Sequence, residues 1–287
     1  METVLVDFAR YLPAALVGKR PVVPVVRLQG PIGAFGAGRG ALTASGLDAS
    51  LDKAFGIKGA VAVALAINSP GGAPVQSNLI FRRVRQLAEE KKLPVYAYVE
   101  DVAASGGYML ACAGDEIIVD PASIVGSIGV ISASFGFDKA IERLGVERRV
   151  HTAGARKSTL DPFMPEVPAD VEHLMALQKD IHDSFVALVR GRRGDRLKES
   201  DDLYSGLFWV GRTAIDLGLA DRVGTLHEDL RAKFGDKVDI RPVARGGGFL
   251  RRQIFGSYGE TRTPALLSAE DALAAVEARS HYWRYGL

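Results

Sequence analysis

Asp101-Val-Ala-Ala-Ser-Gly-Gly-Tyr-Met-Leu-Ala111 is the stretch on which the reading of this chain turns. Just before it, Pro94-Val-Tyr-Ala-Tyr-Val99 is β-branched and aromatic, as suits a buried strand, whereas Gly107 to Ala113 suits a buried helix. Ser105 therefore falls at a strand-to-helix turn. Gly106 and Gly107 let the backbone turn tightly and leave N–H groups uncovered, and the positive end of a helix favours an anion beside the serine oxygen. Two readings fit these residues: a nucleophile next to an oxyanion site, or a serine N-cap.

The surroundings repeat the pattern. Ala60 to Ile67 is a continuous apolar run, the signature of a parallel strand covered on both faces, and it ends in Asn68-Ser-Pro-Gly-Gly72. Ala73 to Lys92 follows as a helix, with Val75, Leu79, Val84 and Leu87 expected on its inward face. Strand, glycine turn and helix occur twice in succession, a βαβ layout around a largely parallel sheet. Sites in such sheets form where strand C-termini meet helix N-termini, so both Gly-Gly turns are expected at one edge.

Further strands are expected at Pro21–Leu28, Asp115–Val119, Val125–Ile131 and Val146–Ala153, and helices at Leu47–Phe55, near Asp138–Leu144, and at Thr213–Leu217. Ala169–Arg193 reads as a long amphipathic helix with Val171, Leu174, Leu177, Ile181, Phe185 and Leu188 on one side. Gly30–Gly46 reads as a loop, because Gly36-Ala-Gly-Arg-Gly40 lacks the full phosphate-binding fingerprint. The expected division is an N-terminal helical segment over 1–20, one α/β domain over 21–243 and an extension over 244–287, where Ser268–Arg279 reads as a helix.

Composition narrows the function classes. Among 287 residues, 47% are hydrophobic, enough for a large core, and 36 basic against 34 acidic residues leave a net charge of only +2. No strong field points to nucleic acid. The single cysteine, Cys112, excludes an internal disulfide framework and reads as core, and no cysteine/histidine spacing suggests a metal. Met1–Val17 is interrupted by Asp7, Arg10 and Pro13 and falls short of the ~20 residues of a membrane span. With Glu2 and Asp7 in place of a positive leader it does not read as a secretory signal. The expectation is a cytoplasmic protein whose first helix contacts a membrane surface peripherally at most.

A serine nucleophile needs a base. His151, His173, His182, His227 and His281 are present, but His173 and His182 lie within the long helix and His281 in the loose tail, and for each a structural or surface role is the simpler reading. Lys157 lies in the small-residue loop Gly154-Ala-Arg-Lys-Ser-Thr-Leu-Asp-Pro-Phe163, with Leu160, Pro162 and Phe163 able to shelter it. An exposed lysine, with a pKa near ~10.4, is charged at pH 7 and cannot act as a base; burial can lower that value by ~3 or more. A basic surface pair, Arg156-Lys157, is the competing reading.

Taken in order, SPGG after an apolar strand, DVAASGGY, GSIGVI, GARKSTLDPF and GLADRVG resemble the signal peptide peptidase A family of serine proteases, with its SohB-like relatives. The resemblance runs from about Val22 to Lys237 and implies the Clp protease/crotonase fold with helical oligomerisation elements. It implies Ser105 as nucleophile and Lys157 as general base. It further implies an oxyanion hole from Gly71, Gly72 and Gly106. Ser127 and Ser158 are candidate orienting hydroxyls, with ordinary turn serines as the competing reading. No cofactor or metal is implied.

Shorter members of that family share each site between neighbouring subunits, and no internal duplication is visible here, so a homo-oligomer with shared sites is expected. The expected activity is endopeptidase cleavage of extended apolar segments such as remnant signal peptides. The rival classes are an acyl-CoA-handling crotonase relative and a non-catalytic scaffold. The aromatic run His281-Tyr-Trp-Arg-Tyr285 is expected to occupy a groove or to contact a neighbouring subunit.

Overall fold

The computed structural model describes residues 20–33, 41–198, 200–244 and 282–286. The chain runs through β1 (Val22–Gln29), α1 (Ala44–Phe55), β2 (Val63–Ser69), α2 (Pro74–Lys91), β3 (Val95–Ala104) and α3 (Gly106–Ala111). It continues through β4 (Glu116–Val119), β5 (Ile124–Gly126), α4 (Asp138–Arg143), α5 (Pro168–Arg193), β6 (Phe208–Val210), α6 (Gly211–Asp216), β7 (Arg222–Val223), α7 (Leu226–Phe234) and β8 (Asp239–Val243). These form one sheet in the order β6-β5-β3-β2-β1-β8, with β4 pairing β3 and β7. Every pairing is parallel except β5 with β6.

β3 is longer than its neighbours and serves two of them. Its first half, Tyr96 to Val99, pairs with β4, and its last residues, Val102 to Ala104, pair with β5. That split brings the end of β5 alongside the turn at Ser105, where the Ser105 N–H donates to the Gly126 carbonyl at 2.8 Å.

Helices α1, α2, α3 and α5 cover one face of the sheet, over a core that includes Leu28, Leu65, Ile67, Ile80, Val84, Tyr108 and Phe185. α7 covers the other face through Leu230, against Val23, Val25, Ala64, Ala66 and Tyr98. Burying strands on both faces explains the unbroken apolar runs of the sequence. Cys112 is fully buried in the first of these layers, and burial pushes its thiol up to about 12, which fits the core role read from its neighbours.

Four expectations need correction. Val75 and Leu79 face solvent; α2 turns Ser77, Ile80, Val84, Leu87 and Ala88 inward, a stripe displaced around the helix. Ser77 is inside because α3 approaches too closely there for a larger residue. The apolar side of α5 is largely uncovered: only Phe185, Val189 and Arg193 are buried, while Leu177 and Ile181 are exposed. Val146–Ala153 forms no strand, since no partner strand runs beside it among the described residues, and the expected strand at Val125–Ile131 stops at Gly126. The expected first segment, the expected helix at Ser268–Arg279 and Gly36–Gly40 lie outside the described residues. Among the described residues no helix is long and apolar enough to cross a membrane.

One buried ion pair locks α5 to the sheet. The Arg193 guanidinium, whose side chain is 1% exposed, meets both carboxylate oxygens of Asp221 at 2.9 Å and donates through Nε to the Gly218 carbonyl. Asp221 also accepts from the Ile117 N–H at 2.6 Å. Burial alone raises the Asp221 pKa, but these donors outweigh it and hold the carboxyl below its ordinary value. Asp221→Asn leaves a buried guanidinium without its anion and is expected to cost about 3–5 kcal/mol. Because the folded-state pKa is depressed, the pair's contribution is present at neutral pH and is lost as the pH falls below about 4. Chemical denaturation of wild type and Asp221→Asn at pH 7 and pH 3 should show the gap narrowing at the lower pH.

Candidate active site

The two glycine turns do meet at one edge of the sheet. Asn68 to Gly72 ends β2, and Ser105 ends β3 beside it. Gly71 has φ +100°, and a Cβ placed on it would lie 2.7 Å from the Ala104 carbonyl oxygen and 2.8 Å from both Gly106 N and Ser105 Cβ. No side chain fits in that space. A Cβ on Gly106 would lie 2.3 Å from Ser77 Oγ. These two glycines set how closely the turns approach each other and α2.

Ser105 itself has φ 52° and ψ −122°, a backbone conformation that residues with a side chain rarely adopt. Its position is that of an N-cap, yet its side chain makes no capping hydrogen bond; its carbonyl accepts from Tyr108 and Met109 instead. A capping serine has extended backbone and a bonded hydroxyl, and Ser105 has neither. Strain held at such a turn is a recurrent property of reactive positions.

Ser105, Gly72 and Ser127 line one cavity of about 860 Å³ whose walls are largely apolar, including Ile32, Val130 and Met175. The Gly72 and Gly106 N–H groups have no hydrogen-bond acceptor among the described residues, whereas the Gly71 N–H is turned to Ser69 Oγ at 3.3 Å. Ile32 braces the SPGG turn, its N–H donating to the Gly71 carbonyl and its carbonyl accepting from Ala73, both at 2.8 Å. Ser127, also at positive φ, donates its N–H to Leu207. Among the described residues, no three His, Cys, Asp or Glu side chains are placed to hold a metal ion.

Lys157 is not at this cavity. It is exposed on an arm, residues 131–167, in which no residue is buried among the described residues. The arm is nonetheless ordered by its own contacts. Phe137 stacks on Phe163 at 5.6 Å, Arg148 binds Asp161 at 2.9 Å and lies over the Phe163 ring, and Arg156 binds Asp170 at the start of α5. The Phe163 N–H and the Arg148 guanidinium hold the Asp161 carboxyl below its ordinary range. Ser158 sits on the same arm, half-buried, and is likewise apart from Ser105's cavity.

Two basic side chains of α5 do line the cavity, and the sequence reading placed neither there. Lys179 is paired with Asp183, and that hydrogen bond raises its pKa and keeps it an ammonium. His182 places Nε2 3.3 Å from the Ile128 carbonyl. The i, i+3 spacing of Lys179 and His182 puts both on one side of α5, but only tertiary packing sets that side against the cavity. Tyr285, from the far end of the chain, is a third wall residue.

Comparison with known proteins follows this geometry. A Na(+)/H(+) antiporter NhaA of Brucella abortus is 50% identical over 284 residues, covering 97% of this chain and 39% of that protein. The chain thus spans about two-fifths of the length of that relative. The chloroplastic serine protease SPPA of Arabidopsis thaliana is 31% identical over 234 residues, 77% of this chain and 34% of that protein. A solved structure of a membrane-bound stomatin-specific protease with a substrate peptide aligns over 82% of this chain and 96% of its own, with TM-score 0.49 and 16% identity. The model of peptidase family S49 matches residues 87–241, which contain Ser105, Ser127 and Lys157, and the chain belongs to peptidase family S49.

Proposed function

We propose that this chain is a serine endopeptidase whose nucleophile is Ser105 and whose general base is Lys157 of a neighbouring copy. The observation that carries this reading is the state of Ser105: strained, capping nothing, and opening onto a cavity beside N–H groups that lack acceptors among the described residues. Ser105 Oγ attacks the peptide carbonyl while the neutral lysine amine takes its proton. The Gly72 and Gly106 N–H groups stabilise the oxyanion, each worth about 3 kcal/mol, and Gly71 serves by its close approach. The lysine then passes the proton to the leaving amine, leaving an acyl-enzyme. Deacylation repeats the sequence with water as the nucleophile.

The shared site rests on Lys157 being exposed away from Ser105's cavity within one chain. The arm that carries it also exposes Phe135 at 78% and Leu144 at 77%, and α5 beside it exposes Met175, Leu177 and Ile181. Apolar surface on this scale marks an interface. Packing against a neighbour would supply the burial that a neutral lysine requires. The apolar cavity suits extended apolar peptide segments, and the resemblance to signal peptide peptidases makes membrane-derived peptides the substrate class to try first.

A second reading has a specific observation behind it: His182 lines Ser105's cavity in the same chain, so a Ser105–His182 pair is the rival base arrangement.

A fluorophosphonate probe should label the wild type at Ser105, identified by peptide mapping, and Ser105→Ala should not label. A wild type that neither labels nor hydrolyses apolar peptides would overturn the nucleophile. Lys157→Ala should lower kcat about 10²- to 10⁴-fold and His182→Ala far less. The reverse order would favour the histidine. Gly71→Ala should abolish turnover, since its Cβ pushes the Ser105–Gly106 turn away from the SPGG turn.

A further inference from the structure

At the site's edge of the sheet, Tyr282 and Trp283 are helical and Arg284 to Gly286 form a turn. Tyr282 and Tyr285, three apart, lie on one side of that turn and face the protein, while Trp283 and Arg284 are exposed. The Tyr285 ring is buried against Val102 and Ala104 of β3, beside Ile124 of β5, and meets Phe208 of β6 edge-on at 5.0 Å. Its hydroxyl lies 3.4 Å from both the Pro70 carbonyl oxygen and Ser127 Oγ. The Tyr282 hydroxyl donates to the Asn68 carbonyl at 3.2 Å. Asn68 and Pro70 belong to the SPGG turn, Ala104 precedes Ser105, and Ser127 follows β5.

We infer that Tyr282 and Tyr285 are a clamp: positioning residues that hold the SPGG turn, the Ser105 turn and Ser127 in one fixed arrangement. This rests on the reading of Ser105 as nucleophile and of the SPGG turn as its oxyanion partner. The three turns leave the ends of three different strands, where the sheet's own hydrogen bonds stop. Ile32 braces the SPGG turn from one side; Tyr285 is the residue that touches all three strand ends from the other. A displacement of well under an ångström at an oxyanion donor is costly because its benefit depends on aim. The helical and turn backbone of 282–286 is not the extended form of a peptide substrate, which separates the clamp from a pseudo-substrate.

The test compares Tyr285→Phe, which keeps the ring and removes the hydroxyl, and Tyr282→Phe with the wild type in the full chain. Tyr285→Phe should lower kcat on an apolar reporter peptide and the fluorophosphonate labelling rate about five- to tenfold, with KM within about twofold. Amides of Ile32 and Ala73, which close the bridge onto the SPGG turn, should exchange hydrogen faster in the variant while the core strands stay protected. Tyr282→Phe should act in the same direction more weakly. Wild-type kcat and exchange in Tyr285→Phe would overturn the clamp. So would a raised KM at unchanged kcat, which marks a groove wall, or a rise in activity, which marks an occupant that blocks substrate. If the wild type is never labelled, the nucleophile reading falls separately, and the exchange of Ile32 and Ala73 still decides the clamp.

Discussion

The site depends on how closely two backbones can approach. Gly71 lies where any side chain would strike Ala104, Ser105 and Gly106, and Gly106 lies where any side chain would strike Ser77. Parallel strands β2 and β3 deliver both turns to one edge, but the missing side chains bring them into register. Once the turns are this close, Ser105 is held in a conformation that neither a cap nor an ordinary turn requires, and the uncovered N–H groups come with it. The sheet pays for that strain with the buried layers on both of its faces.

A second constraint is what the single chain leaves uncovered. Residues 131–167 are tied together by Phe137, Phe163, Arg148 and Asp161, yet none of them is buried among the described residues. The apolar stripe of α5 runs beside this arm. The proposed partner, another copy of the chain, would cover this surface and would account for Lys157 and Ser105 lying apart within one chain.

Much of this was legible from residue order. The continuous run Ala60–Ile67 and the Pro94–Val99 strand announced parallel strands buried on both sides, and SPGG and ASGG marked the turns between strand and helix. Periodicity failed where the burying surface is not the chain's own core. Leu177 and Ile181 carry a clean helical stripe that faces outward, and Val146–Ala153 has strand composition with no strand beside it among the described residues. Val75 and Leu79 misled for another reason: a small polar residue, Ser77, occupies the inward position of α2 where Gly106 lies close. Lys179, His182 and Tyr285 reach the cavity only through tertiary packing, which no local pattern encodes.

The central claim, one chain's Ser105 served by another's Lys157, is tested most directly by mixing two inactive variants. Ser105→Ala and Lys157→Ala, unfolded and refolded together, should regain activity in proportion to neighbour pairs that unite an intact serine with an intact lysine, roughly a quarter of sites on random assembly. Each variant refolded alone should remain inactive. A mixture as inactive as its components, in assemblies shown to contain both chains, would place the base within the same chain as the nucleophile and contradict the account.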